Sequence, residues 1–181
     1  FFTWFAKARN FKGGASFGGF LNNFRNEALA KITDAGEKAE MDALSKAPVK
    51  LVPEGYEQAR KIEVGVLRGM KFDKSRLEAK AGERVAIILT NNDPDGLMHN
   101  LAVIKPGTRQ QVLEATIALG SKAIEKNFIP DVPAVLGSTP QLAPGRRFTL
   151  YLTLPEAPGN YEFICTYPGH GQLMWGTLLV K

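Results

Sequence analysis

The chain has 181 residues, the size of one substantial domain with an appendage. Hydrophobic residues make up 44% and charged residues 23%, a balance typical of a folded globular protein. The formal net charge is +5, and because basic residues alternate with acidic ones, no basic stripe indicates nucleic-acid binding. No apolar run approaches the ~20 residues of a membrane span.

The first part of the chain differs from the rest in composition and in the spacing of its apolar residues. Residues 22–46 are rich in Ala, Glu and Lys, with apolar residues at helical spacing, which predicts two short helices broken around residues 33–36. The chain begins at Phe1, and its opening FFTWFAKARN lacks the features of a signal peptide. We therefore expect residues 1–58 to be a helical N-terminal extension or linker, the tail of a larger polypeptide.

From residue 59 the pattern changes to short runs rich in β-branched residues. The runs KIEVGVL, SRLEAKA, RVAIILTNN, NLAVIK, RRFTLYLTL, NYEFICT and GTLLVK are separated by turn residues, and they predict an antiparallel sandwich or barrel. One exception is residues 108–127, where Val112, Ile117, Leu119 and Ile124 are spaced as in an amphipathic helix. A proline-rich loop then leads to the next strand.

Cysteine and histidine are scarce. Cys165 is the only cysteine, which excludes an intramolecular disulfide, a CxxC redox pair and a Cys-rich zinc site. His99 and His170 are the only histidines, which excludes a three-histidine zinc centre and a multi-copper cluster. Any transition-metal site in this chain is therefore small.

The stretch CTYPGHGQLM places Cys165, His170 and Met174 within ten residues. A thiolate, an imidazole and a thioether form a soft donor set that suits copper, and Cys plus two His with a long axial Met is the ligand set of a blue-copper site. His99 opens the predicted strand HNLAVIK and supplies a second imidazole. Because a Pro-Gly turn lies between the predicted strands, one tight loop can hold three ligands.

Other uses of the same residues remain open at this point. Cys165 and His170 also have the residue types of a nucleophilic pair, although no third orienting group is evident. A zinc site of one Cys and two His is another alternative, although Met is a poor zinc ligand. Taken singly, each residue also fits a role in the core or in a turn, but their coincidence at this spacing favours copper.

At these residues the sequence resembles the cupredoxins, the type 1 blue copper family, and within it the azurin type. YEFICTYPGHGQLMWGTLLVK is similar to the azurin strand, loop and strand at the C-terminus, and MHN at residues 98–100 is similar to the segment that supplies the first histidine. The resemblance covers residues 61–181. It implies an all-β fold, a Greek-key β-sandwich of the eight-stranded type with one inserted helix, over a copper-binding domain at 59–181.

The resemblance also implies a cofactor, one type 1 copper ion. Its expected ligands are His99, Cys165, His170 and Met174. The implied function is one-electron transfer between redox partners by Cu(II)/Cu(I) cycling, with no substrate transformed, so we expect no enzyme. The alternative is a copper storage or delivery module, or an assembly module of a larger extracytoplasmic redox protein.

Residues around the ligands take expected roles from the same resemblance. Asn100 is expected to brace the site, with its backbone amide donating to the Cys165 sulfur and its side chain tying the two ligand-bearing segments together. Thr166 is expected to help hold the loop, and Phe163 to be a core aromatic beneath the metal. Met98 stands where the azurin type has glycine, so its side chain must be accommodated if its carbonyl is to face the metal.

The implied location is periplasmic or otherwise extracytoplasmic, and the implied partners are redox proteins such as cytochromes, dehydrogenases or oxidases, bound transiently. Electrons are expected to pass through His170, whose outer ring nitrogen should reach the surface. Six residues around it are expected to form a mainly apolar docking patch: Leu97, Tyr167, Pro168, Gly169, Gln172 and Leu173.

Overall fold

A computed structural model describes residues 26–46 and 52–181. The chain divides into two units, Phe1–Val52 and Pro53–Lys181, and the predicted boundary after residue 58 stays a prediction. In the first unit, residues 26–30 are helical and helix α1 spans Ala35–Lys46, so a break separates two helices as expected. The Asp34 carboxylate accepts a 2.7 Å hydrogen bond from the Glu37 amide and thereby caps α1. The N-terminal aromatic residues of the opening lie outside the described residues.

The second unit is a β-sandwich, as predicted. Within residues 52–181 there are nine strands, β1 (Arg60–Leu67), β2 (Lys71–Phe72), β3 (Arg76–Ala79), β4 (Arg84–Asn91), β5 (Ala102–Ile104), β6 (Val135–Ser138), β7 (Arg147–Thr153), β8 (Gly159–Ile164) and β9 (Trp175–Val180). One sheet has the order β2-β1-β4-β7 and the other β3-β9-β8-β5-β6. The seven predicted strands are present.

Two features of the sheets differ from the prediction. The nine strands exceed the expected eight-stranded type because β2 is a two-residue strand and β6 lies inside the proline-rich loop. The sheets are not wholly antiparallel, since β1 pairs in parallel with β4 and β3 with β9. Between β1 and β4 the chain passes through β3 of the other sheet, and such a crossover allows β4 to run in the same direction as β1.

The core lies between the two sheets and follows the two-residue period of β-structure. In β1 the inward side chains are Ile62, Val64 and Val66, and in β4 they are Val85, Ile87 and Leu89, all buried. A second apolar cluster joins helix α2 (Arg109–Ala118) to β5 and β8. The inserted helix therefore covers one face of the sheet that carries the cysteine segment.

The helical insertion is shorter than the prediction of residues 108–127. Helix α2 ends at Ala118 and is followed by a single 3₁₀ turn at Gly120–Lys122. Gly120 has a φ of +53°, and Asn127 and Phe128 have φ of 51° and 58°. These left-handed conformations cannot continue a right-handed helix.

The buried stripe of α2 also differs from the predicted one. Its buried residues are Val112, Leu113 and Thr116, which follow the i, i+1, i+4 spacing of one helix face. Ile117 is 72% exposed and Ile124 is 79% exposed, so the prediction that they share the apolar face is wrong. Within residues 26–46 and 52–181, every helix is too short or too polar to span a membrane.

Candidate metal centre

Strand pairing brings the predicted ligand segments to one end of the sandwich. Cys165 directly follows β8 and Met174 directly precedes β9, and these two strands are antiparallel neighbours. Strand β5 pairs antiparallel with β8, with Ala102 opposite Ile164. Because the start of β5 therefore lies beside the end of β8, the segment before β5, which carries His99, lies next to Cys165.

His99 lies three residues before β5, not at the start of the strand itself. It forms an isolated antiparallel bridge with Leu142, in which the His99 amide donates to the Leu142 carbonyl at 3.2 Å and the Leu142 amide donates to the His99 carbonyl at 2.8 Å. The backbone of His99 is thus held by its hydrogen bonds to Leu142, in the segment that precedes β7, and by the start of β5 three residues further along the chain.

Three donor atoms converge on one point. His99 Nδ1 lies 3.2 Å from His170 Nδ1, and Cys165 Sγ lies 3.9 Å from the first nitrogen and 3.7 Å from the second. An ion bound in a trigonal plane at typical metal–donor distances separates two nitrogens by about 3.5 Å and a nitrogen from a sulfur by about 3.8 Å. The observed separations therefore fit a single metal ion.

Hydrogen bonds within the loop hold these donors. The Cys165 amide donates to the Met174 carbonyl at 3.0 Å, and the Met174 amide donates to the His170 carbonyl at 2.8 Å. The His170 amide donates to the Tyr167 carbonyl at 3.0 Å, which closes the turn. Gly169 takes a φ of +82° in this turn, a conformation that favours glycine. All of these hydrogen bonds lie within residues 165–174, so the loop fixes its own conformation.

Asn100 connects the two ligand-bearing segments. Its side-chain amide donates to the Thr166 hydroxyl at 2.7 Å, and its side-chain carbonyl accepts from the Thr166 backbone amide at 2.8 Å. Both residues are buried. The backbone amides of Asn100 and Tyr167 also donate to the Cys165 sulfur.

The electrostatics of the cysteine oppose a nucleophilic role. Burial raises the pKa of Cys165 to about 11, against the opposing effect of the two backbone amides. A nucleophilic cysteine requires a lowered pKa, so the pair of Cys165 and His170 is not poised for nucleophilic attack. Burial, and then the neighbouring His99, lower the pKa of His170 against an opposing effect of Asp93, which favours the neutral imidazole that binds metals.

The other ligand candidate, Met174, is fully buried and lies in the same apolar cluster as Cys165 and Phe163. The Phe163 ring is fully buried and packs on Phe72, with 5.2 Å between the ring centroids. Met98 is 42% exposed, so the side chain that replaces the expected glycine is accommodated on the surface and not within the site.

The six residues of the predicted docking patch lie at the same end. Leu97 and Leu173 are 39% and 64% exposed, and Pro168, Gly169 and Gln172 are also exposed. Tyr167 is half-buried, and its ring lies against His170 with 4.7 Å between the centroids. His170 retains 6% of its surface, whereas His99 and Cys165 retain none.

Two residues near His99, Asp93 and Asn91, carry no motif that marks them in the sequence. Asp93 Oδ2 lies 2.8 Å from His99 Nε2, and both side chains are fully buried. Burial opposes ionisation of this carboxyl, but hydrogen bonds with His99 and with the Asp95 amide outweigh it and hold the pKa of Asp93 below its usual range. Asn91 donates to the Leu97 carbonyl at 2.9 Å. The only signal in the sequence is the run NNDPD, which reads as a turn.

Comparison with known proteins also indicates a copper-binding protein. The family model for copper-binding proteins of the plastocyanin/azurin family matches residues 59–181. Auracyanin-A of Chloroflexus aurantiacus is 32% identical over 115 residues, which are 62% of this chain and 68% of that protein. Azurin of Pseudomonas fluorescens biotype B is 28% identical over 119 residues, which are 62% of this chain and 91% of azurin.

Solved structures agree. The dithionite-reduced auracyanin of the photosynthetic bacterium Roseiflexus castenholzii superposes with a TM-score of 0.60 at 29% identity, over 68% of this chain and 98% of that one. The chain therefore belongs to the plastocyanin/azurin family of copper-binding proteins, the cupredoxins. Its cofactor is copper, at a single site to which His99, Cys165 and His170 contribute.

We expect Asn100→Ala to lower the free energy of unfolding of the metal-free protein by about 2 kcal/mol, because buried groups of Thr166 lose their hydrogen-bond partners. Asn92→Ala, at an exposed position nearby, is the control and should change stability by no more than about 0.5 kcal/mol. Urea unfolding measures both. Equal stability of the two variants would show that the Asn100 side chain does not tie the segments together.

Proposed function

We propose that the protein is a type 1 blue copper protein that carries single electrons between redox partners. The observation that carries this proposal is the convergence of one cysteine sulfur and two imidazole nitrogens within 3.2–3.9 Å of one another in a buried pocket. Bound copper supplies a one-electron couple between Cu(II) and Cu(I). The protein supplies a fixed set of donors that need not move when the charge of the ion changes.

Met174 completes the proposed ligand set as the axial thioether. Support comes from its full burial beside Cys165 and from the two hydrogen bonds of its backbone to Cys165 and His170. Catalysis at a metal requires an open coordination position. With four protein ligands in a closed pocket, the proposed site has none, which supports a carrier and not an enzyme.

His170 is the proposed route for electrons. It is the one imidazole of the pair that retains exposed surface, and the predicted docking patch surrounds it. The apolar exposed side chains of this patch, Leu97 and Leu173, favour a small interface that forms and dissociates quickly. The proposed partners are redox proteins such as cytochromes, dehydrogenases or oxidases, and the proposed location is periplasmic or otherwise extracytoplasmic, as the family resemblance implies.

The test of this function is redox cycling in the presence of a Cu(I) chelator. We expect the copper-loaded protein to lose its colour on reduction and regain it on oxidation, with one electron per copper and no loss of metal, because the donors are buried and prearranged. Absorption after repeated cycles with bathocuproine disulfonate measures this. Transfer of the copper to the chelator in the first reduced state would favour the storage or delivery alternative.

The docking patch gives a second prediction. Leu173→Asp should slow electron self-exchange between two molecules at least about tenfold, because like charges then oppose each other across the encounter. Ala157→Asp adds the same charge at an exposed turn beyond the opposite end of β8 and should leave the rate nearly unchanged. NMR line broadening in mixtures of oxidised and reduced protein measures the rate. Equal rates in the two variants would exclude this patch as the docking surface.

A further inference from the structure

The two imidazoles of the site differ in what lies behind them. His99 Nε2 lies 2.8 Å from the Asp93 carboxylate, and neither side chain is exposed. In the described part of the chain, the hydrogen-bond contacts of the His170 ring involve only its Nδ1 atom. A buried carboxylate therefore faces one histidine of the pair and not the other.

The Asp93 carboxylate is held in a fixed orientation. Its Oδ1 accepts a 2.6 Å hydrogen bond from the Asp95 amide, and its own amide donates to Asn91 Oδ1 at 3.0 Å. The side-chain amide of Asn91 donates in turn to the carbonyls of Leu97 and Leu142 at 2.9 and 2.8 Å. These contacts leave Oδ2 directed at the outer nitrogen of His99.

A carboxylate can only accept a hydrogen bond, so the proton of this contact lies on His99 Nε2. In the neutral imidazole, the form that binds metals, the lone pair of His99 is then on Nδ1, the atom that faces Cys165 and His170. Carboxylates in this position behind a metal-binding histidine fix its tautomer and its ring orientation, and they raise its strength as a donor.

We propose that Asp93 is a positioning residue of the copper site, which fixes His99 as the Nε2–H tautomer and favours Cu(II) over Cu(I) through its buried negative charge. The preference for Cu(II) rests on the proposed function, whereas the tautomer does not. The negative charge acts at short range in a buried environment, where electrostatic interactions are only weakly screened. Its effect is to lower the reduction potential of the site.

The tautomer is tested on the wild-type protein without metal. We expect a two-bond ¹H–¹⁵N spectrum to show a proton on Nε2 of His99 that exchanges slowly with solvent, because the atom is buried against Asp93. A His99 protonated on Nδ1 alone would overturn the proposal. This measurement requires neither a variant nor copper, so it stands even if the proposed function fails.

The charge is tested with Asp93→Asn, which retains an oxygen that can accept from Nε2. We expect the copper-loaded variant to keep its blue colour while the ratio of Cu(II) to Cu(I) affinity falls at least tenfold, which raises the potential by about 59 mV for a one-electron couple. The control is Asp95→Asn, which removes a charge from a residue whose side chain pairs with the exposed Arg68 at 3.1 Å, and it should change the ratio by less than about threefold.

The reduction potentials of both variants, measured by protein-film voltammetry, decide between the outcomes. A larger rise for Asp93→Asn than for Asp95→Asn supports the proposal. Equal shifts, or a fall in the potential of Asp93→Asn, would overturn it. A wild-type protein that binds copper without the blue colour would instead contradict the proposed function and leave the tautomer result in force.

Discussion

The antiparallel pairing of β5 with β8 is the interaction on which the metal centre depends. His99 and Cys165 are 66 residues apart in the chain, and the pairing brings the segments that carry them into contact. Backbone hydrogen bonds define the register, with Ala102 opposite Ile164, so a slip of one residue would turn the donors to opposite faces. The two hydrogen bonds between Asn100 and Thr166 lie just beyond this pairing and extend it towards the metal.

Burial of the site requires a desolvation free energy for its polar groups, and it also makes the site rigid. Removing a cysteine sulfur, two imidazoles and a carboxylate from water is unfavourable unless each has a partner. The described structure provides those partners as backbone amides for Cys165 and as the buried Asp93 for His99. The strand pairing and the loop hydrogen bonds fix the positions of the donors, and such a fixed donor set suits the proposed electron transfer.

The three donors that converge, His99, Cys165 and His170, were predictable from the sequence because cysteine and histidine are rare in this chain. With one cysteine and two histidines in the chain, few arrangements were available, and the spacing to Met174 matched a soft metal site. Asp93 was not predictable, because an aspartate in a turn-rich run is ordinarily exposed, and only the folded chain shows that its carboxylate is buried against His99. The proposed role of Asp93 rests on this contact and not on a sequence spacing.

The strands of the fold were predictable from the sequence, but the way in which they pair was not. Alternation of apolar residues identified seven strands, but the parallel pairs β1 with β4 and β3 with β9 depend on the order in which the chain visits the two sheets. Local patterns do not encode that order. The insertion was predicted as too long a helix because its apolar spacing continues past Gly120, whereas the chain takes a φ of +53° at that glycine, a conformation that glycine adopts readily and that ends a right-handed helix.

A Cu(II) titration of the metal-free protein, followed by visible absorption and EPR spectroscopy, tests whether His99, Cys165, His170 and Met174 form a type 1 copper site, with Cys165→Ser as the control. We expect one copper per chain, an intense thiolate-to-copper charge-transfer band and narrow copper hyperfine splitting, and we expect the band and the narrow splitting to be absent in the control. A weakly coloured product with ordinary tetragonal EPR parameters, or a band that persists in Cys165→Ser, would contradict this assignment.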